Sequence, residues 1–230
     1  MIRDIFVEME WFTDFNIKEQ VFIRFVWEVA YNYTRNKNPF HNLSHAVSVC
    51  HAGFYLVKNY PKFANVLSEQ QKFGFIVSCL GHDLDHRGYT NNFEIATQSE
   101  LAIRYHDISP LEQHHAAVLF KILSVKGSNI MHIIKGDSWK SLKKHMIENI
   151  LATDMKNHFS MLTKFKTHLL ENNSFGSVPC AEADRQVITD HFIHYCDLSG
   201  SFKNFGIASR WSKLVNIEFS SQVVDLLRLV

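Results

Sequence analysis

Apolar positions recur at helical spacing along almost the whole chain. Over Ile17–Asn36 the set Val21, Phe22, Phe25, Val26, Val29 and Tyr33 falls three and four residues apart, which predicts a helix with one buried stripe. His45–Tyr60 repeats the pattern with Val49, Cys50, Phe54 and Val57, and Pro61 stops it. Ser68-Glu69-Gln70-Gln71 has the form of a capping box and predicts a helix from there through Leu84. Ser109-Pro110-Leu111-Glu112 has the same form, with Ser as N-cap, Pro in the first turn and Glu at the third helical position. Further helices are predicted over Trp139–Met155, His158–Glu171, Ala183–Cys196 and Gly206–Leu229. No run alternates over strand length, and no repeat, low-complexity segment or linker interrupts the chain. The expected fold class is all-α, a compact multi-helical domain occupying residues 1–230.

Composition narrows the class of molecule. An apolar fraction of 46% with 20% charged residues suits a folded soluble domain, and 230 residues suffice for a sizeable core. A net charge of +1 predicts neither a nucleic-acid partner nor a polybasic membrane contact. The segments Lys121–Lys126 and Lys140–Lys144 read as solvated helix faces. Cys50, Cys79, Cys180 and Cys196 form no CxxC pair and suit buried thiols in a reducing compartment. Met1 is followed by Ile-Arg-Asp-Ile and then acidic residues instead of a signal-like basic and then apolar run. The longest apolar stretch, Phe73–Leu80, is far short of the roughly 20 residues of a membrane span. The expected location is the cytoplasm.

The chain holds 14 histidines, which prompts a search for metal-ligand spacing. Phe40-His41-Asn42-Leu43-Ser44-His45 carries histidines four residues apart, and so does Gly81-His82-Asp83-Leu84-Asp85-His86-Arg87-Gly88. Four residues on a helix is about one turn on the same face, so each pair aims two imidazoles in one direction. Asp83 points elsewhere on an ideal helix and joins them only at a helix end or a break. Imidazole with carboxylate suits zinc and related ions, and a carboxylate shared between two ions suits phosphoester hydrolysis.

Phe40-His-Asn-Leu-Ser-His-Ala46 and His82-Asp-Leu-Asp-His-Arg-Gly-Tyr-Thr-Asn-Asn-Phe93 resemble the two signatures of the class I 3′,5′-cyclic-nucleotide phosphodiesterase catalytic domain. Ser99-Glu-Leu-Ala102, Leu111-Glu-Gln-His-His115, Leu151-Ala-Thr-Asp-Met155 and Cys196-Asp-Leu-Ser199 follow in family order. The resemblance runs from about Phe15 to Trp211 and is greatest to the GAF-containing, cGMP-stimulated branch. It implies an HD-type all-α fold. It also implies hydrolysis of cAMP or cGMP to the 5′-monophosphate by water activated between two divalent ions, zinc and magnesium (or manganese). His45, His82, Asp83 and Asp197 match the metal ligands, with Asp83 bridging. His86, Glu112 and Thr153 match groups around the second ion and its waters. His41 matches the general acid that protonates O3′.

Each assignment has a structural alternative. Glu112 sits where a capping-box Glu belongs. A helical Thr such as Thr153 commonly bonds its own backbone. Asp197 reads locally as a surface residue at a helix end, and His114 and His115 are given no chemistry. The family domain continues past the position of Trp211 and there supplies a purine-binding glutamine and a stacking phenylalanine. Residues 220–230 therefore read as a divergent or truncated end, and Gln222 lies too close to Asp197 to be that glutamine. A second expectation follows, a catalytically impaired isoform whose apolar tail (Val223, Val224, Leu226, Leu227, Leu229) pairs with another subunit or forms a homodimer.

Overall fold

The computed structural model describes residues 1–170, 175–176 and 178–229, and the side chains of 168–170 and 224–229 lie outside that description. The expected end of a helix at Glu171 and the tail side chains Val224, Leu226, Leu227 and Leu229 therefore lie outside the described residues. Every regular element among the described residues is helical. The α-helices in order are α1 (Ile2–Glu8), α2 (Trp11–Asp14), α3 (Glu19–Thr34), α4 (Leu43–Asn59), α5 (Pro61–Ala64), α6 (Glu69–Gly81), α7 (Asn91–Ala96), α8 (Glu100–Arg104), α9 (Pro110–Ser124), α10 (Gly136–Leu151), α11 (His158–Lys164), α12 (Glu182–Asp197) and α13 (Phe205–Leu229), with short 3-10 turns at Met155–Asn157 and Leu198–Phe202 and a π-helical turn at Phe165–Leu170.

Helix α6 is the axis of the fold. It is buried on every side through Phe73, Phe75, Ile76, Val77, Cys79 and Leu80, as expected of a helix apolar all round. It packs between α4 and α10, with α12 closing over α4 and α10. Gly74 lets α10 approach closely, because a Cβ there would lie 2.6 Å from Leu142 Cδ1. An aromatic cluster of Phe6, Trp11, Phe15 and Phe73 fastens the N-terminal helices to α6, Phe15 stacking on Phe73 at 4.3 Å between centroids. One apolar core runs from Ile5 on α1 to Cys196 on α12. Cys50, Cys79 and Cys196 are free and buried; Cys180 is half-buried.

Capping chemistry explains where the helices start. Ser68 and Gln71 form the reciprocal capping box expected at α6. Asn42 caps α4, accepting from the amides of Ser44 (2.9 Å) and His45 (3.4 Å), which places His45 in the first turn. Pro61, expected as a stop, also serves as the first residue of α5. At α6 and α9 an expectation fails. Helix α6 ends at Gly81, not Leu84, because Tyr33 Oη donates to the Leu80 carbonyl (2.9 Å) and accepts from the Asp83 amide (3.1 Å), holding a turn there. At α9 no capping box forms: Ser109 is left-handed (φ 45°), and its hydroxyl donates to Asp154 Oδ2 at 2.7 Å instead.

Two measurements test this packing. Gly74→Val drives a branched side chain into Leu142 and Met146, which are buried and cannot withdraw. It is expected to lower unfolding stability by about 1–3 kcal/mol in urea titrations. On α12, burial pushes the Asp190 carboxyl up to about 7, against the 2.6 Å hydrogen bond it accepts from Gln186. A raised carboxyl binds more protons folded than unfolded. Its stabilising contribution is therefore complete below about pH 4 and lost as pH rises towards 7. Asp190→Asn keeps the acceptor and is expected to recover about 2 kcal/mol at neutral pH, with no gain in acid; equal gains at both pH values would contradict this.

Candidate active site

The end of α6 supplies the break that Asp83 requires. His82 is its C-cap, the chain turns immediately, and Asp85 adopts a left-handed conformation (φ 63°). That conformation costs a non-glycine residue about 1 kcal/mol or more and must be held. Arg35 Nε (2.7 Å) and Asn36 Nδ2 (3.1 Å) donate to Asp85 Oδ1, and His114 Nε2 lies 2.8 Å from Oδ2. Burial opposes ionisation of Asp85, but His114 and Arg35 outweigh it and keep the carboxylate charged. Asn38 and Asn36 bind the His86 carbonyl at 2.6 and 2.9 Å and fix the far side of the same turn.

Four side chains converge beside this turn. His45 comes from the first turn of α4, His82 and Asp83 from the end of α6, and Asp197 from the last position of α12. His45 Nε2 lies 3.2 Å from His82 Nε2, 3.3 Å from Asp83 Oδ2 and 3.0 Å from Asp197 Oδ1. His82 Nε2 lies 3.1 Å from Asp83 Oδ2 and 3.3 Å from Asp197 Oδ1. One ligand atom from each of the four lies within 4.8 Å of the others.

This donor set fits a divalent cation. His82 Nδ1 lies 2.9 Å from the Cys79 carbonyl, so it donates there and turns the Nε2 lone pair of the neutral ring inward. Asp83 Oδ2 is buried without a hydrogen-bond partner. Asp197 sits at the negative end of α12, where a carboxylate is disfavoured unless a cation faces it. Burial opposes charge on His45 and His82, yet the two carboxylates outweigh it and raise both imidazoles. Burial likewise opposes ionisation of Asp83 and Asp197, and the imidazoles hold both low. Protons can therefore satisfy the cluster, and a metal ion would compete with them for the same lone pairs.

A cavity of ≈570 Å³ opens beside the cluster, and His41, Asp83, His86, Glu112, Thr153 and Asp197 all line it. His41 stacks on His86 with centroids 3.9 Å apart. Burial, then the neighbouring His41, depress His86 well below the ordinary imidazole range, and its Nδ1 accepts from the Gly88 amide at 3.0 Å. Burial pushes the Glu112 carboxyl up to about 7, against the hydrogen bonds from Asn91 Nδ2 to both oxygens (3.2 and 2.9 Å). Helix α10 ends at Leu151, short of the expected Met155, so Thr153 lies in the turn beyond it; its hydroxyl donates to the Ile150 carbonyl at 2.7 Å, and the residue lines the cavity.

Three participants carry no signal in local sequence. Glu218, on α13, is 2% exposed and bonds His41 Nδ1, and it also accepts from the amides of Phe40 (2.8 Å) and His41 (3.0 Å). Burial opposes ionisation of Glu218, but the bond to His41 keeps the carboxyl low. His115 lines the cavity, with Nδ1 2.7 Å from the Leu84 carbonyl and Nε2 3.8 Å from Asp83 Oδ1; burial pulls it down to about 4. Gln222 Oε1 accepts from the Thr90 amide (3.1 Å) and hydroxyl (3.3 Å), which ties α13 to the start of α7.

If the cluster binds a divalent ion, zinc added to chelator-treated protein is expected to stabilise it by about 4 kcal/mol at a thousandfold excess over Kd. The melting shift should shrink near pH 5, where protons occupy the imidazoles, and disappear in His82→Ala. Melting curves indifferent to chelator and zinc would exclude a metal centre here.

The family model described as 3′5′-cyclic nucleotide phosphodiesterase matches residues 40–226. The chain is 34% identical over 222 residues to the 3′,5′-cyclic-nucleotide phosphodiesterase regA of Dictyostelium discoideum, covering 96% of this chain and 27% of that protein. It is 35% identical over 215 residues to the human high affinity cGMP-specific 3′,5′-cyclic phosphodiesterase 9A, covering 91% of this chain and 34% of that one. Among solved structures, the phosphodiesterase domain of the RhoPDE fusion protein from the choanoflagellate Salpingoeca rosetta superposes with a TM-score of 0.93 at 33% identity. That match covers 98% of this chain and 70% of that one. The chain thus spans about a third or less of the length of these two curated relatives.

Proposed function

Because the chain belongs to the 3′5′-cyclic nucleotide phosphodiesterase family, we propose that it is one catalytic unit that hydrolyses the 3′,5′-cyclic phosphate of cAMP or cGMP to the 5′-monophosphate. The observation that carries this reading is the convergence of His45, His82, Asp83 and Asp197 beside His41 in a single cavity. His45, His82, Asp83 and Asp197 would hold zinc, with Asp83 also facing a second ion, magnesium or manganese. Divalent ions there supply phosphate charge neutralisation and a water acidic enough to attack near neutral pH.

The chain's own residues divide the remaining work. Water adds to phosphorus, the P–O3′ bond breaks, and its electron pair leaves with O3′. His41 gives O3′ a proton, and the proton released by water returns to the imidazole through solvent. Glu218, ionised and bound to His41 Nδ1, fixes the ring and occupies Nδ1, leaving Nε2 to carry the proton to be donated. Neutral His86 supports the ring face without competing for that charge. Glu112 and Thr153, with His115, line the side of the cavity where waters around the second ion would be ordered. A second reading, a regulatory subunit that pairs through α13, is supported by the exposed apolar side chains Phe205, Ile217 and Val223.

Purified protein is expected to consume cAMP or cGMP in a chelator-sensitive reaction. His41→Ala should lower kcat by about 10²–10⁴ with zinc still bound. Glu218→Gln keeps the packing but should move the alkaline limb of the kcat profile, the limb set by the general acid, to lower pH. Full turnover in His41→Ala, or no metal-dependent loss of either nucleotide, would overturn the assignment.

A further inference from the structure

A second cavity lies among α3, α9 and α10, and none of its lining residues belongs to the catalytic set. It measures ≈490 Å³, within the range of small-molecule sites, and is lined by Lys18, Lys126, His132 and Lys135 together with Val21, Ser124 and Asn129. No carboxylate lines it. None of the three lysines forms an ion pair with a described residue. The nearest acids on the same elements are committed elsewhere, Glu19 to Arg3 and Asp137 to Lys140, each at 3.0 Å. The charges come from three separate segments: the start of α3, the connection after α9 and the start of α10. A single solvated helix face cannot produce that arrangement.

The local chemistry is also wrong for structure alone. Lys18 is the N-cap of α3 and Lys135 the N-cap of α10, and neither helix has a side-chain cap. The N-cap position favours Ser, Thr, Asp or Asn, and a cation at the positive end of a helix is disfavoured. Both violations occur on one cavity wall, and local rules are broken most often where function requires it. An anion bound between the two helix starts would resolve both at once. Asn129 Oδ1 is taken by the Met131 amide at 2.9 Å, which leaves its amide hydrogens to donate.

We propose that this cavity binds a phosphate-bearing polyanion, with Lys18, Lys126 and Lys135 as point-charge ligands and His132 and Asn129 as further donors. Monoester phosphates suit it because each carries close to two negative charges with several acceptor oxygens, and three ammonium groups match such a ligand better than a lone carboxylate. The same group can come free in solution or on a lipid; Val125 and Ile133 stand exposed in the same segment, where a membrane surface would meet them. The proposal does not depend on the catalytic reading.

The test measures binding of inositol trisphosphate, and of phosphatidylcholine vesicles with and without phosphatidylinositol bisphosphate, to the zinc- and magnesium-loaded full chain. Lys18→Ala/Lys126→Ala/Lys135→Ala is expected to weaken binding about tenfold or more, and added salt should weaken it in the unmutated chain. Lys140→Ala/Lys144→Ala, which removes charge outside the cavity, should leave binding unchanged. Binding of the soluble probe that the triple variant loses supports a free phosphate ligand. Binding only of the doped vesicles, lost in the same variant, supports a lipid headgroup. If neither probe binds, if the triple variant binds normally, or if the control loses as much, the site does not exist. Should the triple variant melt early, Lys126→Glu alone, at an exposed loop position, carries the same comparison.

Discussion

Asp83 and Asp197 are held in a largely buried place where neither can stay ionised without nearby positive charge. Everything around the active site follows from meeting that demand. Two imidazoles face the carboxylates at hydrogen-bonding distance, one delivered by the first turn of α4 and one by the cap of α6. Helix ends are the means: Asn42 sets the start of α4, Tyr33 ends α6 early, and α12 stops with Asp197 as its last residue. A divalent ion in place of imidazole protons would satisfy the same demand and would supply Lewis acidity at the cluster.

Around this centre a second tier of buried polar groups fixes geometry instead of carrying out reaction steps. Arg35, Asn36 and His114 hold the left-handed Asp85, and with it the tight turn that brings both Asp83 and His86 to the cavity. Glu218 gathers two backbone amides and one imidazole onto a single carboxylate, so the placement of His41 depends on α13. Each partner is itself satisfied, the condition under which buried polar networks rigidify a site. The failed capping box at Ser109 belongs to the same economy. Its hydroxyl is used to bind Asp154, and Glu112 is held by Asn91 on α7 and faces the cavity instead of closing its own helix.

Surface charge shows a related division. The net charge of +1 conceals six lysines against one aspartate over residues 121–147. Part of that excess is spread along the exposed side of α10, where Lys140 and Lys144 meet acids on their own helix. Lys126 and Lys135 line a concave wall together with Lys18. Whole-chain charge is silent about such local focusing, because opposite charges elsewhere cancel it in the sum.

The helices, the apolar stripe of α3, the capping box of α6 and the grouping of histidines with Asp83 were all legible in the chain. Each is written in spacings of at most four residues, the range over which backbone geometry alone relates side chains. The resemblance to the phosphodiesterase signatures extended that reading to Asp197. Folding alone decided that Glu218 would meet a histidine 177 positions away, that Arg35 and His114 would hold Asp85, and that Lys18 would join Lys126 and Lys135. The first two compensate charge between distant segments, and the third gathers like charge. Charge compensation has no period, so it exists only once the chain has closed on itself.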